Sequence, residues 1–262
     1  MNRSLTTAAT GMVVQQRNLD IIANNLANVN TTAFKANRAE FQDLMYQTLR
    51  LAGAEQGGGN LLPASQQVGM GAKFVSNATS FDNGPLQTTG GTFDVAINGK
   101  GFFGVTLSDG TTAYTRDGSF KLSADGTLVT SDGYPLLGGI IIPPDAQSVT
   151  IAPNGTVTAQ ISGQTEPQIL GQINIWTFSN PAGLERMGKN LYRGTVASGE
   201  ATETEPGLNG SGTLEQGFLE GSNVQIVDEM VRLILAQRAY EVNSKAIQTA
   251  DEMLNSTNNL KR

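Results

Sequence analysis

Apolar residues recur every seven positions at both ends of the chain, and this spacing predicts two long helices. Near the N-terminus the repeat consists of Leu5, Met12, Leu19 and Leu26, followed on the same face by Val29. Near the C-terminus it consists of Ile226, Leu233, Tyr240, Ile247 and Leu254. A seven-residue apolar spacing is typical of a narrow helix seam that packs against another helix, as in coiled coils. We therefore expect these residues to be packing positions.

The C-terminal helix is predicted over residues 224–257, a length of about 50 Å at 1.5 Å per residue. The polar positions of both helices carry many amides and hydroxyls and few charges. When such faces are buried, they can satisfy hydrogen bonds against neighbouring subunits. A helical subdomain that closes on itself is the simpler alternative, but the amide-rich faces favour assembly between subunits.

Asparagines crowd the end of the first predicted helix, in the asparagine-rich segment ANNLANVNTTAFK (residues 23–35). Asparagine is a weak helix former that tolerates the conformations found at helix ends and turns. We expect this segment to end the helix and to offer hydrogen-bond donors and acceptors to neighbouring subunits. Its candidate joint residues are Asn24, Asn25, Asn28, Asn30 and Phe34.

From residue 93 the apolar pattern changes to a period of two, which is typical of strands. The short runs are separated by Asp-Gly at 109–110, 117–118, 125–126 and 132–133 and by Asn-Gly at 154–155. Such dipeptides are signals for two-residue hairpin turns, in which both central residues need positive φ. The sequence therefore predicts an antiparallel β meander in the middle of the chain.

Two Gly-rich polar stretches, residues 56–71 and 198–212, flank this β region and can bury little apolar surface. The expected fold class is α+β, with the terminal helices paired like a coiled coil and a β-rich domain inserted between them. The predicted parts are a discontinuous helical domain at 1–33 and 222–262, extended connectors at 34–92 and 196–221, and a β-rich domain at 93–195.

Cysteine and histidine are absent from the chain, which excludes disulfides, zinc–thiolate sites and His-based acid–base catalysis. The net charge of −6 and the lack of Lys/Arg clusters argue against nucleic-acid binding. The sequence shows neither the apolar run of a secretory signal nor a stretch of ~18 apolar residues. We expect no nucleic-acid partner and no membrane insertion. The default location is the cytosol, unless export uses no cleaved signal.

Two glycine-rich motifs nearly match nucleotide-binding loops. Residues 99–104 satisfy G-x-G-x-x-G, but a strand follows where the dinucleotide fingerprint needs a helix. Residues 183–190 end in Asn190 instead of the Ser or Thr that would hold magnesium. A carboxylate pair such as Asp94 and Asp117 stays open as a glycosidase arrangement, although nothing in the sequence favours it. We predict no enzyme activity and no catalytic, cofactor or metal site.

Several long stretches resemble motifs of the bacterial flagellar rod and hook family. They are the asparagine-rich segment and residues 96–103, 110–138, 206–224 and 237–254. Residues 41–74 also resemble the stretch that distinguishes distal rod subunits from hook subunits. Hook proteins usually carry an additional large outer domain, for which this chain has no room.

The resemblance implies a structural axial subunit that polymerises helically into the straight, hollow distal rod. Such a rod transmits torque from motor to hook and forms the export channel, with the terminal helices lining the inner tube. Implied partners are further copies, proximal rod proteins, hook or hook-junction subunits, surrounding ring (bushing) proteins and the rod cap. Export through the flagellar type III apparatus, without a cleaved signal, is implied for a periplasm-spanning rod.

Two alternatives remain at this point. The chain could be a proximal rod or hook subunit of the same family. From a different class, it could be a β protein that interacts with carbohydrate or peptidoglycan.

The resemblance also assigns rod straightness to residues 47–74. The marked residues of this straightness segment are Gln56, Gly57, Leu61, Leu62, Pro63, Gly69 and Gly71. One position departs from the family motif T-x-G-F, because Ala33 stands where the motif has glycine. Glycine adopts a left-handed backbone conformation that alanine resists by roughly 1 kcal/mol, so the geometry of this joint is an open question.

Overall fold

The computed structural model describes residues 2–53, 63–163 and 166–259, and the chain divides into two compact units. Unit 1 consists of Met1–Ala27, Asn37–Thr79 and Gln225–Arg262. Unit 2 consists of Asn28–Ala36 and Ser80–Val224. Each unit is therefore built from stretches that are far apart in sequence.

Unit 1 combines two long helices with two antiparallel strand pairs. In chain order its elements are α1 (Asn2–Ala27), β1 (Asn37–Asp43), β2 (Tyr46–Arg50), β3 (Gln66–Gly69), β4 (Ala72–Thr79) and α2 (Ile226–Asn259). Strand β1 pairs with β4, and β2 pairs with β3. This part of the chain was expected to be an extended connector, but β1 to β4 are regular strands. Alternate side chains of β4 are partly buried, as is typical of a strand with one covered face.

Helices α1 and α2 pack side by side and antiparallel. Asn25 near the end of α1 is hydrogen-bonded to Glu229 near the start of α2. Gly11 in the first half of α1 lies against Asn243 in the second half of α2. Moving forward along one helix therefore means moving backward along the other. The predicted pairing of the terminal helices is confirmed.

Unit 2 is built from short strands. In chain order these are β5 (Leu86–Thr88), β6 (Val95–Asn98), β7 (Phe102–Thr106), β8 (Thr112–Thr115), β9 (Lys121–Leu122), β10 (Leu128–Val129), β11 (Ala146–Ile151), β12 (Thr156–Ile161), β13 (Gln168–Gln172), β14 (Ile175–Thr177), β15 (Glu185–Gly188), β16 (Leu191–Arg193), β17 (Thr202–Thr204), β18 (Thr213–Gln216) and β19 (Phe218–Glu220). A short 3₁₀ helix, Pro181–Gly183, precedes β15.

The largest sheet of the described residues has the strand order β15-β16-β8-β7-β14-β17, and a second sheet has the order β11-β12-β13. Strand pairs β5–β19, β6–β18 and β9–β10 complete the unit. The α+β class with an inserted antiparallel β region is confirmed. The neighbours in the largest sheet are not consecutive in sequence, however, so its topology is more complex than a simple meander.

The core of unit 2 is a contiguous apolar cluster from the strands and the loops between them. Fully buried members include Val95, Ile97, Phe103, Val105, Val157, Ile173 and Ile175. A second, aromatic cluster contains Phe102, Tyr114 and Tyr192, with Phe81 and Phe178 packed against it. Burial of this much apolar surface is the main contribution to the stability of the unit.

The Gly-containing turns of unit 2 differ in type from the predicted two-residue hairpins. At Gly110, Gly126, Gly133 and Gly155 only the glycine has positive φ. In the first of these turns the Gly110 N–H donates to the Leu107 carbonyl, and the Leu107 N–H donates to the Thr111 carbonyl. This is the pattern of a type I turn followed by a left-handed glycine bulge, so the predicted turn type is wrong, although turns do occur at these four positions. The turn predicted at Asp117-Gly118 is wrong, because Gly118 has no positive φ and lies against the Val95 carbonyl.

Candidate assembly surfaces and the joint segment

The predicted packing residues of the helices are divided between partly buried and exposed positions. Half-buried positions are Leu5, Met12, Leu19 and Leu26 on α1 and Leu233, Ile247 and Leu254 on α2. Ile226 and Tyr240 expose 48% and 39% of their surface. Val29 lies beyond the end of α1 and belongs to unit 2.

The most buried apolar residues of the helix pair lie beside the predicted repeat. They are Val14, Ile22, Ala236 and Ala250. Ala236 and Ala250 each follow a half-buried member of the repeat by three residues, which completes the alternating three- and four-residue spacing of a coiled-coil seam. Small residues bring the helices close together: a Cβ atom at Gly11 would lie 3.0 Å from Asn243 Nδ2.

A second apolar face runs along the first half of α2 and is uncovered. This outer stripe is defined as Val227, Met230, Val231, Ile234, Leu235 and Val242, each of which exposes between 50% and 73% of its surface. The spacing of its members is that of one helix face. Exposed apolar patches of this kind mark interaction sites. A seven-residue repeat alone does not reveal the outer stripe, because the stripe lies beside the seam.

Asn25 is almost fully buried, exposing 1% of its surface, and is bonded within the chain. Its Oδ1 accepts the Asn37 N–H at 2.9 Å, and its Nδ2 donates to the Asn37 carbonyl at 2.8 Å. Nδ2 also lies 3.4 Å from Glu229 Oε2. The amide therefore pairs with β1 as a neighbouring strand would and connects α1, β1 and α2 inside unit 1.

The other joint asparagines occupy different surroundings. Asn24 lines a cleft of about 360 Å³ in unit 1, together with Arg17, Asp20 and Asn77. Asn28 accepts a hydrogen bond from the Thr31 hydroxyl at 3.1 Å, and Asn30 is exposed. Asn24 and Asn25 belong to unit 1, whereas Asn28 and Asn30 belong to unit 2.

The joint segment (residues 28–36) follows α1 and belongs to unit 2. In it Ala33 has φ of 55° and is buried, and its N–H donates to the Glu220 carbonyl at 2.8 Å. The chain therefore keeps the left-handed conformation that glycine would favour at this position. Phe34 is also buried, and the guanidinium of Arg186 lies 5.3 Å from the centre of its ring.

A buried ion network lies next to the joint segment. Lys35 Nζ is 2.7 Å from Glu220 Oε1, and Arg116 Nε is 2.8 Å from Glu220 Oε2. Burial, together with the nearby Arg116 charge, lowers the pKa of Lys35 to about 8, although Glu220 and Asp82 act in the opposite direction. Neither Lys35 nor Glu220 was predicted, because nothing in the sequence pairs residues so far apart.

The straightness segment is only partly within the described residues, and Gln56, Gly57, Leu61 and Leu62 lie outside them. Pro63 is exposed, and Gly69 in β3 pairs with Tyr46 in β2. Gly71 has φ of +111° and faces Thr10 of α1, where a Cβ atom would collide with the threonine hydroxyl.

The glycines of the G-x-G-x-x-G motif are accounted for by packing. A Cβ atom at Gly99 would lie 2.7 Å from Gly212 Cα, and one at Gly101 would lie 3.0 Å from Ile175. The described residues contain no group of three or more Asp or Glu side chains placed to hold a metal ion. No helix in the described part of the chain is long and apolar enough to cross a lipid bilayer.

Three descriptions of protein families match separate parts of the chain. Residues 5–35 match "Flagella basal body rod protein", residues 96–159 match "Flagellar hook protein FlgE/F/G D1 domain", and residues 215–260 match "Flagellar basal body rod FlgEFG protein C-terminal". These matches include most of α1, the middle of unit 2 and α2.

The sequence identity to full-length relatives distinguishes two kinds of rod protein, FlgG and FlgF. The flagellar basal-body rod protein FlgG of Borreliella burgdorferi is 52% identical over 264 residues, which is 100% of both chains. FlgG of Caulobacter vibrioides is 47% identical over 99% of both chains. The rod protein FlgF of the same bacterium is 37% identical over 98% of this chain and 96% of its own. Similarity to FlgG is thus clearly higher than similarity to FlgF.

Paired terminal helices with an uncovered apolar face and an inserted β unit define a structural protein of the flagellar axial class. The chain belongs to the family of FlgG distal rod proteins of the flagellar basal body. It is a structural protein, not an enzyme, and it assembles with other axial proteins in the basal-body rod. The alternative of a carbohydrate-interacting β protein from another class is therefore set aside.

Proposed function

We propose that copies of this chain associate helically through their terminal helices into a straight, hollow rod. The rod transmits torque from motor to hook, and its bore is the export channel. The observation that carries this proposal is the outer stripe of α2, an apolar helix face that is uncovered in the single chain. The occupant we assign to it is a neighbouring copy of the same chain.

Burial of the outer stripe supplies a driving force for association. Covering a half-exposed aliphatic side chain contributes on the order of 1 kcal/mol at 25 cal/mol per Å². The six side chains together offset only part of the cost of association, so further contacts are needed. A contact between two different surfaces of identical subunits repeats head to tail, and it yields a helical filament when its rotation does not close a ring.

The ribbon of β2 and β3 supports a role of the straightness segment in subunit contacts. Every residue of β2 is exposed, and Leu49 and the adjacent Met45 and Leu51 expose about half or more of their surface. An isolated two-stranded ribbon is marginally stable in water. We propose that residues 47–74 wedge between neighbouring subunits and so keep the rod straight.

The finer assignments of partners and location follow from the same proposal. Proximal rod proteins adjoin one end of the rod, hook or hook-junction subunits adjoin the other, and ring proteins and the rod cap contact it during assembly and rotation. The rod spans the periplasm, and the chain reaches it through the flagellar type III apparatus without a cleaved signal. The terminal helices line the inner tube, and the β-rich unit lies outside.

Two adjacent residues of α2 provide a sharp test of the helix contacts. Ile234 belongs to the outer stripe, whereas Leu233 is half-buried in the helix pair. We expect Ile234→Asp to abolish filament formation, seen by electron microscopy and sedimentation, with an unchanged thermal unfolding curve. Leu233→Asp should instead lower the unfolding temperature of unit 1. Gln248→Asp, on an exposed polar part of α2, is the control and should still polymerise. Normal filaments from Ile234→Asp would rule out the outer stripe as a subunit contact.

The straightness proposal is tested separately. Deleting part of residues 57–71 should give polymers that are curved in electron micrographs, because the wedge between subunits is shortened. A substitution of the same stretch that keeps its length is the control. Straight rods from the deletion variant would contradict the role of this segment while leaving the helix contacts untouched.

A further inference from the structure

The carboxylate of Glu220 lies at the centre of a network that joins distant parts of unit 2. Oε1 accepts hydrogen bonds from Lys35 Nζ at 2.7 Å and from the Gly84 N–H at 2.9 Å, and Oε2 accepts one from Arg116 Nε. Lys35 and Glu220 have no exposed side-chain surface, and Arg116 exposes 2%. One side chain thus connects stretches of chain around residues 35, 84 and 116.

The network holds two cations against a single anion. Arg116 donates further hydrogen bonds to the carbonyls of Ile97, Gly99 and Gly101, and Lys35 Nζ donates to the Asp82 carbonyl at 2.7 Å. Carbonyl dipoles compensate a buried charge less well than a carboxylate does. Removing one partner of a buried ion pair is costly because the remaining charge stays desolvated. Loss of Glu220 would leave both cations without an ion-pair partner, with Asp82 as the remaining acidic neighbour of Lys35.

In the same region, hydrogen bonds join the two places where the chain leaves unit 2. The Asn223 N–H donates to the Phe34 carbonyl at 3.3 Å, and the Ala36 N–H donates to Asn223 Oδ1 at 2.7 Å. The Ala33 N–H donates to the Glu220 carbonyl. Residues 33–36 and 220–223 therefore lie side by side, immediately before the chain continues into β1 and α2 respectively.

We propose that Glu220 is a charge latch that holds these two exits of unit 2 together. When the carboxylate is lost, the joint segment and residues 220–223 separate locally while the apolar core of the unit stays folded. Local opening of a segment below the global unfolding energy is a general property of folded domains.

Hydrogen exchange of the full-length chain tests the latch. In Glu220→Gln we expect amide exchange at Ala33 and Asn223 to rise by about tenfold or more, whereas exchange at Val157 and Ala159 in β12 rises by less than about twofold. Glu215→Gln is the matched control, since this carboxylate accepts a hydrogen bond from the exposed Asn98 amide at 2.7 Å. The control should leave all four amides unchanged. Equal increases at all four, or none at Ala33 and Asn223, would overturn the proposal.

A second pair of variants keeps the test decisive if Glu220→Gln unfolds the whole unit. Lys35→Met removes one cation and leaves a balanced Arg116–Glu220 pair. We expect Glu220→Gln to accelerate exchange at Ala33 by a smaller factor in the Lys35→Met background than in the parent, because one unpaired charge remains instead of two. The same acceleration in both backgrounds would show that charge is not what holds the latch, and would overturn it.

Discussion

Ala33 is an alanine in a backbone region that favours glycine, with φ of 55° and 1% of its surface exposed. The left-handed conformation places the alanine Cβ close to the following carbonyl oxygen and costs roughly 1–2 kcal/mol. The hydrogen bond from its N–H to Glu220 and the burial of Phe34 hold the residue there. The departure from the family motif therefore costs stability, and Ala33 still takes a left-handed conformation of the kind that glycine favours.

Ala33→Gly should raise the free energy of unfolding of unit 2 by about 0.5 kcal/mol, because relief of strain exceeds the added entropy of the unfolded chain. Ala113→Gly is the control, since Ala113 is buried in β8 without positive φ and its replacement should lower stability. Urea unfolding followed by fluorescence of Trp176, the single tryptophan of the chain, measures both. A loss of stability in Ala33→Gly as large as in Ala113→Gly would contradict this account.

Lys35 is a buried cation whose pKa falls to about 8, chiefly through desolvation and secondly through the Arg116 charge. In the unfolded chain its pKa returns to the ordinary value near 10.5. Between these values the unfolded chain binds more protons than the folded one. The free energy of unfolding of unit 2 should therefore rise as the pH increases through this window.

The measurement is the urea midpoint of Trp176 fluorescence at about pH 7.5 and about pH 9.5. A higher midpoint at the alkaline pH is expected for the parent chain. Lys35→Met, which lacks the titrating group, should show no such increase. Burial raises the pKa of Tyr114 and Tyr192, so their ionisation in the unfolded chain lowers the midpoint of both proteins alike at the alkaline pH. The quantity that reports on Lys35 is therefore the difference between the parent chain and Lys35→Met. A midpoint that falls equally in both proteins would exclude Lys35 as the cause.

At the scale of elements, the end of α1 is held by one buried amide. Asn25 bonds both main-chain groups of Asn37 and contacts Glu229 of α2. An amide supplies a donor and an acceptor on two separate atoms, whereas an ionised carboxylate only accepts. At least one asparagine of the asparagine-rich segment therefore makes its hydrogen bonds within unit 1 and not with a neighbouring copy.

Asn25→Asp should destabilise unit 1 by about 2 kcal/mol or more, because the carboxylate cannot donate to the Asn37 carbonyl and stands beside the buried Glu229. Thermal unfolding followed by circular dichroism at the helix band gives the measurement. The same substitution at the exposed Asn30 is the control and should change little. A thermal curve for Asn25→Asp that matches the Asn30→Asp curve would show that the amide does not hold the helix end.

At the scale of the whole molecule, the two units differ in how completely their apolar side chains are buried. Unit 2 has a large cluster of apolar side chains with little or no exposure. The helix pair of unit 1 has few fully buried apolar residues, and the outer stripe of α2 is uncovered. Hydrophobic burial is the main favourable term in folding, so we infer that unit 1 depends on neighbouring copies for much of its stability.

Limited trypsin digestion of the monomer should therefore cut α1 and α2 first, at exposed sites such as Arg17 and Arg238, and leave a resistant fragment from unit 2. Mass spectrometry of the fragments over time identifies the order. The same sites should be protected in assembled filaments, which serve as the comparison. Equal resistance of both units in the monomer would mean that the helix pair is stable without neighbours.

Individual residues show which structural features the sequence patterns predicted and which they did not. The seven-residue repeats predicted both helices and their pairing, because a packing seam must recur with the helix period. The same repeats did not separate Leu233, which is half-buried, from the exposed Ile226. Three of the four Asp-Gly pairs and the Asn-Gly pair located turns of the structure but not their type. Gly118 has no positive φ, and a Cβ atom there would collide with the Val95 carbonyl, a contact that only the fold creates.

By itself, the sequence determined the two terminal helices and their pairing, the inserted β region and the family, since each leaves a periodic or motif-like trace along the chain. Only the tertiary structure decided that Asn25 closes onto Asn37 and Glu229, that Lys35 and Arg116 share Glu220, and that one face of α2 stays uncovered. These features join residues far apart in sequence. Their energies depend on burial and distance, which local patterns do not encode.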